Sequence, residues 1–428
     1  MQNRLAALLA EAAPRRGRWW LTNGSLWDGT GRSVRPRAAV LVEDGRVAEV
    51  VDARGGVPAD AEAIDLGGRT LMPGLIDAHA HVFAEPPILA DGAEPLLPGT
   101  RGHLLRTGLE TALRMGFTTL RDVGSYGDEV LTARQAMRYG AFRGPRVLTC
   151  RRIVAATSPG GRFFDGMYRE ADGPDEVRKA VREQVREGAD FIKVMSTGAR
   201  SVELEDPHPA QLTAAEMAVV VEEAHRLGRR VAAHAEGLDG TELAIRCGAD
   251  TIEHGMYLHH RPDLLEAMAK AGQVLVPTLS CYYGVAGEEG RSSWTSPLAE
   301  LARFNLTEAE HTLLAARAAG VPIALGHDWQ PFARAGTELV RMVAHGLDPT
   351  EALTAATATA ARALGLEDRI GTVERAKVAD LLVVDGDPLT DPAVLVDRHR
   401  IWLVIQHGEP VAGAALEGSP SSLFCRQL

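Results

Sequence analysis

The distribution of apolar and polar positions divides the chain into three regions. In the first region, residues 18–72, short apolar or alternating runs are separated by the turn-forming pairs Asp28-Gly29, Asp44-Gly45 and Gly67-Gly68. Period-two alternation bounded by such pairs is typical of β-strands. The predicted strands are 19–22, 39–43, 47–50 and 63–65. This region is therefore predicted to be an all-β meander.

From Pro73 onward the pattern changes, because apolar strand-like runs alternate with Ala/Glu/Arg-rich stretches of helical period. The candidate strands end near His81, Asp122, Arg152, Met195, His234, His254, Thr278 and Asp328. The candidate helices are 104–115, 174–187, 214–227, 241–247, 262–271 and 308–319. Eight strands, each followed by a helical segment, predict a TIM barrel with long loops at 82–103, 154–173, 197–212 and 280–306.

After about residue 369 the β pattern returns in 379–385 and 400–407. We expect these strands to pair with those of the first region. The predicted fold class is α/β, a (β/α)8 TIM barrel with a small β-sandwich domain built from both chain ends. The predicted divisions are an N-terminal extension (1–17), an N-terminal sandwich segment (18–72), the barrel (73–368), a C-terminal sandwich segment (369–418) and a C-terminal tail (419–428).

Composition narrows the classes of function. The 428 residues carry a formal net charge of -11, so the chain has no basic footprint for nucleic acid. No apolar run reaches the roughly 20 residues that a membrane span needs, and the N-terminus lacks the order of a signal peptide. The four cysteines are scattered, which argues against a disulfide framework. We expect a cytoplasmic protein with a small-molecule substrate and no nucleic-acid or membrane partner. A homo-oligomer is an open alternative to a monomer.

The first predicted barrel strand ends in His79-Ala80-His81. Residues i and i+2 of a strand point to the same face, so both imidazoles are predicted to face one way. They would lie at the carboxyl end of the strand, where TIM-barrel active sites are built. Two neutral imidazoles can bind one divalent metal, although an isolated His-x-His pair is a weak signal.

Four more candidate residues occur at other strand ends, namely Lys193, His234, His254 and Asp328. Taken singly, each has an ordinary explanation: a lysine that reaches the surface, core histidines that are hydrogen-bonded, and an aspartate in a turn. If the barrel is formed, however, all of them meet His79-Ala-His81 on one rim. So many metal-ligand groups crowded on one rim are electrostatically favourable only if a metal ion is bound among them.

In this order, His-x-His, Lys, His, His and Asp on strands one, four, five, six and eight, the chain resembles the amidohydrolase superfamily. Its imidazolonepropionase-like and prolidase-like branch includes dipeptidases and ochratoxin-type amide hydrolases. The stretches that carry this resemblance are 71–81, 116–124, 188–198, 231–237, 250–255, 352–364 and 377–388.

The resemblance implies two metal ions, expected to be Zn²⁺, although other divalent metals suit the same ligands. His79, His81 and Asp328 would hold the more buried ion, and His234 and His254 the second. Lys193 would be carboxylated by carbon dioxide and bridge both. A hydroxide shared by the metals would attack the scissile carbonyl, with Asp328 moving its proton to the leaving amine.

The chain also departs from the family pattern around this set. Relatives often have Gly-Gly-His after strand three, Gly-Gly after strand four and Ser or Thr before the last aspartate. Here the corresponding stretches are Gly160-Gly161-Arg162, Gly198-Ala199-Arg200 and, before the aspartate, His327. Arg162 and Arg200 could hold a substrate carboxylate or could be solvent-facing loop residues.

Aromatic residues supply further candidate contacts. Tyr257, three residues after His254, is a candidate catalytic group that would orient a substrate carbonyl or oxyanion. Tyr282 and Trp329 are candidate substrate contacts in an aromatic pocket. Aromatic residues beneath a long loop more often only pack against it.

The predicted function is metal-dependent hydrolysis of an amide or peptide-type C–N bond, as in a dipeptide, an N-acyl amino acid or an aryl amide. A carbamate, thiocarbamate or imidazolone-type cyclic-amide hydrolase could use the same site. A mononuclear deaminase is the nearest rival, but Glu236 lies two residues after His234 instead of three, and such enzymes generally lack the lysine. A non-catalytic scaffold is disfavoured because every expected ligand type is present.

Overall fold

The structure is a computed structural model, which describes residues 17–59, 61–82, 99–164, 166–202, 204–287, 296–328 and 332–417. Three predicted features lie outside these residues: Trp329, the C-terminal tail, and the N-terminal extension except for its last residue, Gly17. Within them, no helix combines the length and the apolar character that crossing a membrane requires.

Strands from both ends of the chain form one eight-stranded sheet. Its members are β1 (Arg18–Leu26), β2 (Arg35–Glu43), β3 (Arg46–Asp52), β4 (Glu62–Asp65), β5 (Thr70–Pro73), β15 (Leu381–Val384), β16 (Ile401–Gln406) and β17 (Glu409–Ala412). The order is β17-β16-β15-β5-β1-β2-β3, and β4 also pairs with β1. The antiparallel pairing of β15 with β5 joins the two chain ends, as the sequence pattern predicted.

The other strands, β6 to β14, belong to the barrel. They are β6 (Leu75–Ala80), β7 (Phe117–Asp122), β8 (Arg146–Thr149), β9 (Ile153–Ala155), β10 (Tyr168–Glu170), β11 (Ile192–Met195), β12 (Val231–Ala235), β13 (Thr251–His254) and β14 (Val274–Val276). All the pairings among these strands are parallel. The third barrel strand is divided, since β8 pairs with β7 while β9 pairs with β11.

Hydrogen bonds of the segment 322–328 join the two ends of this array. Leu275 N–H donates to Pro322 O and Ala324 N–H donates to Leu275 O, both at 2.9 Å. On the other side, Ala78 N–H donates to Leu325 O at 2.9 Å. The segment therefore occupies the place of an eighth strand between β14 and β6, and the (β/α)8 prediction is confirmed.

The helices surround these strands, except for the last one, which packs on the terminal sheet. They are α1 (Thr100–Arg114), α2 (Glu129–Arg138), α3 (Pro159–Phe163), α4 (Pro174–Glu187), α5 (Ala214–Arg226), α6 (Leu238–Cys247), α7 (Pro262–Ala271), α8 (Leu279–Ala286), α9 (Ser296–Ala318), α10 (Thr337–Ala344), α11 (Pro349–Ala355), α12 (Ala358–Ala363) and α13 (Ala414–Glu417). The short 3-10 turns are Ala53–Gly55, Leu258–His260, Phe332–Arg334 and Pro392–Leu395.

One expectation about these helices is wrong. The sequence pattern predicts a loop over 280–306, yet α8 and the first turns of α9 occupy most of its described residues. The buried residues of α8 include Leu279, Tyr282 and Val285, so its packing against the protein favours the helix.

Strand β15 connects the terminal sheet to the barrel because its two faces are buried in different cores. Leu381 and Val383 lie in the cluster enclosed by the terminal sheet. Leu382 and Val384 lie in a second cluster with barrel residues such as Phe117. Alternation along the strand sends successive side chains to opposite faces. Burial on both faces explains why this segment is apolar throughout.

We expect Leu382→Ala to lower the free energy of unfolding by about 2–5 kcal/mol, because it leaves a cavity in the second cluster, where β15 packs on the barrel. Leu204→Ala is the control, since Leu204 is 83% exposed, and it should change stability by no more than about 0.5 kcal/mol. Urea denaturation measures both. Equal losses in the two variants would contradict the proposed coupling of sheet and barrel.

Candidate metal centre

His79 and His81 face the same side of the first barrel strand, as their spacing predicted. The Nε2 atom of each lies 3.3 Å from Asp328 Oδ1. His79 Nδ1 donates to Glu253 Oε2 at 2.7 Å, and His81 Nδ1 donates to the carbonyl of Gly124 at 2.6 Å. Because these partners only accept, each Nδ1 carries a proton, and in the neutral form of the ring each Nε2 offers a lone pair toward Asp328. Burial lowers the pKa of His81 but Asp328 raises it more, so a proton competes with a cation for Nε2 of His81.

His234 and His254 come from neighbouring parallel strands, β12 and β13. His254 Nδ1 donates to Thr278 Oγ1 at 2.7 Å, and the Thr278 hydroxyl donates in turn to Pro277 O at 2.8 Å. His234 Nε2 donates to Gly198 O at 3.2 Å. The remaining nitrogens, His234 Nδ1 and His254 Nε2, face each other at 2.9 Å. With these tautomers, neither of the two facing nitrogens carries a proton, so each can offer its lone pair to a metal.

The surroundings keep these two rings neutral. Burial, followed by the nearby Lys193 ammonium, lowers the pKa of His234 to about 3. Burial and the neighbouring His234 lower the pKa of His254 well below its ordinary value. Neutral imidazole is the form that binds a metal, so both rings are in the form a ligand needs.

Lys193 lies inside the barrel on β11 and is only 2% exposed. The simpler interpretation, a lysine that reaches the surface, is therefore wrong. Burial is the largest influence on its amine and lowers the pKa, although the carboxylates of Glu253 and Asp328 oppose it. Lys193 also acts electrostatically on His234 and His254, so it belongs to the same cluster.

Asp328 is positioned by the eighth strand. Its backbone N–H donates to His79 O at 2.9 Å, and its φ of +46° turns the chain sharply at this point. Burial would raise the pKa of its carboxyl, but His79 and His81 lower the pKa well below its ordinary value. The carboxylate is therefore ionised beside the imidazole rings.

The donor set fits a divalent metal. Ligand atoms of His79, His254 and Asp328 lie within 4.8 Å of one another. When the four rings are neutral, the outer hydrogen bonds turn one lone pair of each histidine toward this carboxylate or toward another histidine, so several acceptors converge on one place. A cation satisfies such an arrangement, and nitrogen and carboxylate ligands suit Zn²⁺.

Sequence reasoning missed the residues that hold the ligands in place. Glu253 lies between His79 and Arg121, whose Nη2 donates to Glu253 Oε1 at 2.7 Å. Burial would raise the pKa of Glu253, but Arg121 and then His79 lower it to about 2. The sequence signal was Glu253 beside His254 in an apolar strand, where a buried carboxylate needs a partner.

Gly326 is a second missed residue. A Cβ at this position would lie 2.4 Å from Val276 Cγ1 and 2.5 Å from His79 Cβ. Only glycine lets the eighth strand approach β6 this closely, and the approach brings Asp328 to the histidines.

Arg200 is not the solvent-facing loop residue that was one of its interpretations, because it is only 9% exposed. Its backbone N–H and its Nε donate to Glu236 Oε2 at 3.0 and 3.2 Å. The charge of Arg200 is thus paired with Glu236. The Glu236 carboxylate therefore accepts from both the backbone and the side chain of Arg200.

The other predicted contact residues differ in their surroundings. Tyr257 directs its hydroxyl to Asn305 Oδ1, at 3.4 Å, and its catalytic role stays a prediction. Tyr282 is buried on α8, and among the described residues its hydroxyl has no hydrogen-bond partner. Arg162 is exposed on α3, as its solvent-facing interpretation allowed, and no hydrogen bond or ion pair within the described ranges joins it to the histidines. His327, beside Asp328, is buried and its backbone N–H donates to Asp77 Oδ1.

Comparisons with known proteins agree with this geometry. A model of the Amidohydrolase family matches residues 70–411. Over 376 residues the chain is 32% identical to ochratoxinase of Aspergillus niger, covering 81% of this chain and 76% of the relative. It is 30% identical over 425 residues to imidazolonepropionase of Paracoccus denitrificans, covering 90% and 95%. A crystal structure of a Xaa-Pro dipeptidase with methionine in its active site superposes with a TM-score of 0.84 and 28% identity, covering 92% of this chain and 100% of the other.

We call His79, His81, Lys193, His234, His254 and Asp328 the rim cluster. The barrel fold, the rim cluster and the relatives together define a metal-binding TIM-barrel hydrolase that acts on carbon–nitrogen bonds. The chain belongs to the amidohydrolase family.

We expect Glu253→Gln to weaken metal binding by about 10–100-fold, because the amide cannot accept from both His79 and Arg121 as the carboxylate does. Metal affinity is measured by competition with a chromophoric chelator. Asp250→Asn is the matched control, since Asp250 also pairs with a histidine, His225, at 2.8 Å, but nearer the surface. Unchanged affinity in Glu253→Gln would remove the proposed positioning role.

Proposed function

We propose that the protein hydrolyses an amide or peptide-type C–N bond with two Zn²⁺ ions held at this rim. The observation that carries the proposal is the lone-pair arrangement of the four histidines around Asp328, with the buried Lys193 beside it. His79, His81 and Asp328 would hold one ion, and His234 and His254 the other. Bound Zn²⁺ would lower the pKa of a water molecule and polarise the scissile carbonyl.

Lys193 is proposed to bridge the two ions as a carbamate. A neutral amine adds carbon dioxide and releases one proton, and burial favours the neutral amine by lowering its pKa. The product is an anionic oxygen ligand. It would replace a buried positive charge, which opposes metal binding, by a negative charge, which favours it.

Asp328 is proposed to move the proton of the reaction. Its ionised carboxylate can accept a proton from the attacking water and pass it to the leaving nitrogen. The four histidines are assigned as ligands, so none of them is available as the base.

Two features support a substrate with a polar or anionic end. The buried Tyr282 hydroxyl has no hydrogen-bond partner among the described residues, and buried polar groups normally have one. Glu236 and Arg200 both act electrostatically on the Tyr282 phenol, so this hydroxyl lies near their ion pair. N-acyl amino acids and dipeptides carry a carboxylate that can accept a hydrogen bond from the Tyr282 hydroxyl.

The paired state of Glu236 weighs against the deaminase alternative. A deaminase needs a free acid near its single metal to shuttle protons, whereas Glu236 is bound to the backbone and side chain of Arg200. A carbamate, thiocarbamate or cyclic-amide hydrolase is the second candidate, because attack on its carbonyl uses the same groups.

A substrate panel tests the proposed function. Zinc-loaded enzyme is incubated with N-acyl amino acids, dipeptides, aryl amides without a carboxylate, carbamates and aminated heterocycles, and products are identified by mass spectrometry. We expect cleavage of amides, with the carboxylate-bearing members preferred. Ammonia release from the heterocycles alone would overturn the proposal in favour of a deaminase.

Asp328→Asn should lower kcat by about 10²–10⁴-fold while retaining most of the metal, because the amide keeps a ligand oxygen but cannot accept the proton. Asp128→Asn is the control, since the Asp128 carboxylate is 77% exposed. Turnover and metal content are measured together. A near-normal kcat in Asp328→Asn would contradict the role.

Lys193→Met should release one or both metal ions, because the bridging ligand is lost. Metal per chain is measured by inductively coupled plasma mass spectrometry. Reconstitution of metal-free wild-type enzyme with zinc should be faster with bicarbonate, and Lys193→Met should not respond. Lys179→Met, at a side chain that is 69% exposed, is the control. Full metal content in Lys193→Met would exclude the bridge.

A further inference from the structure

A second group of metal-ligating side chains lies outside the rim cluster. The turn Leu258–His260 follows β13 and packs on α9, where it meets Glu308. Glu308 Oε2 lies 3.5 Å from His259 Nε2 and 3.3 Å from His260 Nε2. One ligand atom from each of these three side chains lies within 4.8 Å of the others.

Hydrogen bonding sets the tautomer of His259. The Thr312 hydroxyl donates its only proton to Met256 O, at 2.7 Å. It therefore accepts from His259 Nδ1, which lies 3.0 Å away. In the neutral ring, the proton is on Nδ1 and the lone pair of Nε2 points toward Glu308. A ligand histidine held through its other nitrogen is the usual arrangement at metal sites.

Burial and charge suit a metal at this place. Burial and the adjacent His260 lower the pKa of His259, which favours the neutral form of its ring. The side chains of His259 and Glu308 are 15% and 14% exposed, whereas that of His260 is 58% exposed. An ion can therefore enter from solvent and meet two pre-positioned ligands.

We propose that His259, His260 and Glu308 form a second, structural site for a divalent transition-metal ion of the Zn²⁺ type. Two imidazole nitrogens and one carboxylate oxygen form a set that zinc takes with a water molecule as the fourth ligand. Mg²⁺ and Ca²⁺ prefer oxygen ligands, so the site should discriminate against them. None of its ligands belongs to the rim cluster.

The site would hold the turn after the sixth barrel strand against α9. That turn is also joined to α9 by Tyr257, through Asn305, and by His259, through Thr312. An ion shared by the turn and the helix adds a link that the unfolded chain lacks. Binding to the folded state alone stabilises it, so zinc should raise the Tm.

The test uses full-length enzyme whose rim cluster has been saturated with zinc and then freed of excess ion. Isothermal titration with Zn²⁺ should show one additional site in the wild type, and titration with Mg²⁺ should show none. The affinity should fall at least about tenfold in His260→Ala and in Glu308→Gln. Anomalous diffraction at the zinc edge should place a peak among the three side chains.

His225→Ala is the matched control, because His225 is also a surface histidine paired with a carboxylate. It should bind the additional zinc like the wild type. Thr312→Val tests the positioning of His259 and should weaken the site by about tenfold without removing a ligand. The zinc-dependent rise in Tm should disappear in His260→Ala.

Two results would overturn the proposal. One is a wild-type enzyme that takes up no zinc beyond its rim cluster. The other is binding that is equal in the wild type, His260→Ala, Glu308→Gln and His225→Ala, which would place the extra ion elsewhere. Because each comparison is made with a saturated rim cluster, the outcome does not depend on how many ions that cluster holds.

Discussion

The structure depends on one buried carboxylate, that of Glu253. It accepts from Arg121 on one side and from His79 on the other, and Arg121 also donates to the carbonyl of Ala78. Three barrel strands, β6, β7 and β13, are thereby joined across the interior. Leaving a buried charge unpaired costs several kcal/mol, so the three groups must form as a set.

This network also orients the ring nitrogens of His79. With its Nδ1 bound to Glu253, His79 can turn only Nε2 toward the rim, and the partners of the other histidines act in the same way. The rim is therefore organised by groups that would not themselves touch an ion. Such outer contacts place ligands before binding, which reduces the ordering that binding would otherwise require.

The terminal sheet supports the same rim through the strand that enters the barrel. β5 leads directly through Gly74 into β6, and Gly74 N–H donates to Asp380 O at 2.9 Å. Asp380 in turn receives a hydrogen bond from Arg146 of β8. These hydrogen bonds fix the direction in which the first barrel strand leaves the sheet, and they thereby help to position His79.

The sequence by itself determined the periodicities, and with them the eight-strand count, the shared terminal sheet and the type of residue at each strand end. His79-Ala-His81 faces one way because strand geometry is local. Only the tertiary structure decided that α8 forms where a loop was expected. It also decided which partners the side chains contact, such as Glu253 for His79 and Glu236 for Arg200. These outcomes join residues far apart in the chain, and sequence periodicity carries no information about such contacts. Gly326 shows the boundary, since its necessity follows from the distance to Val276 and His79 across two strands.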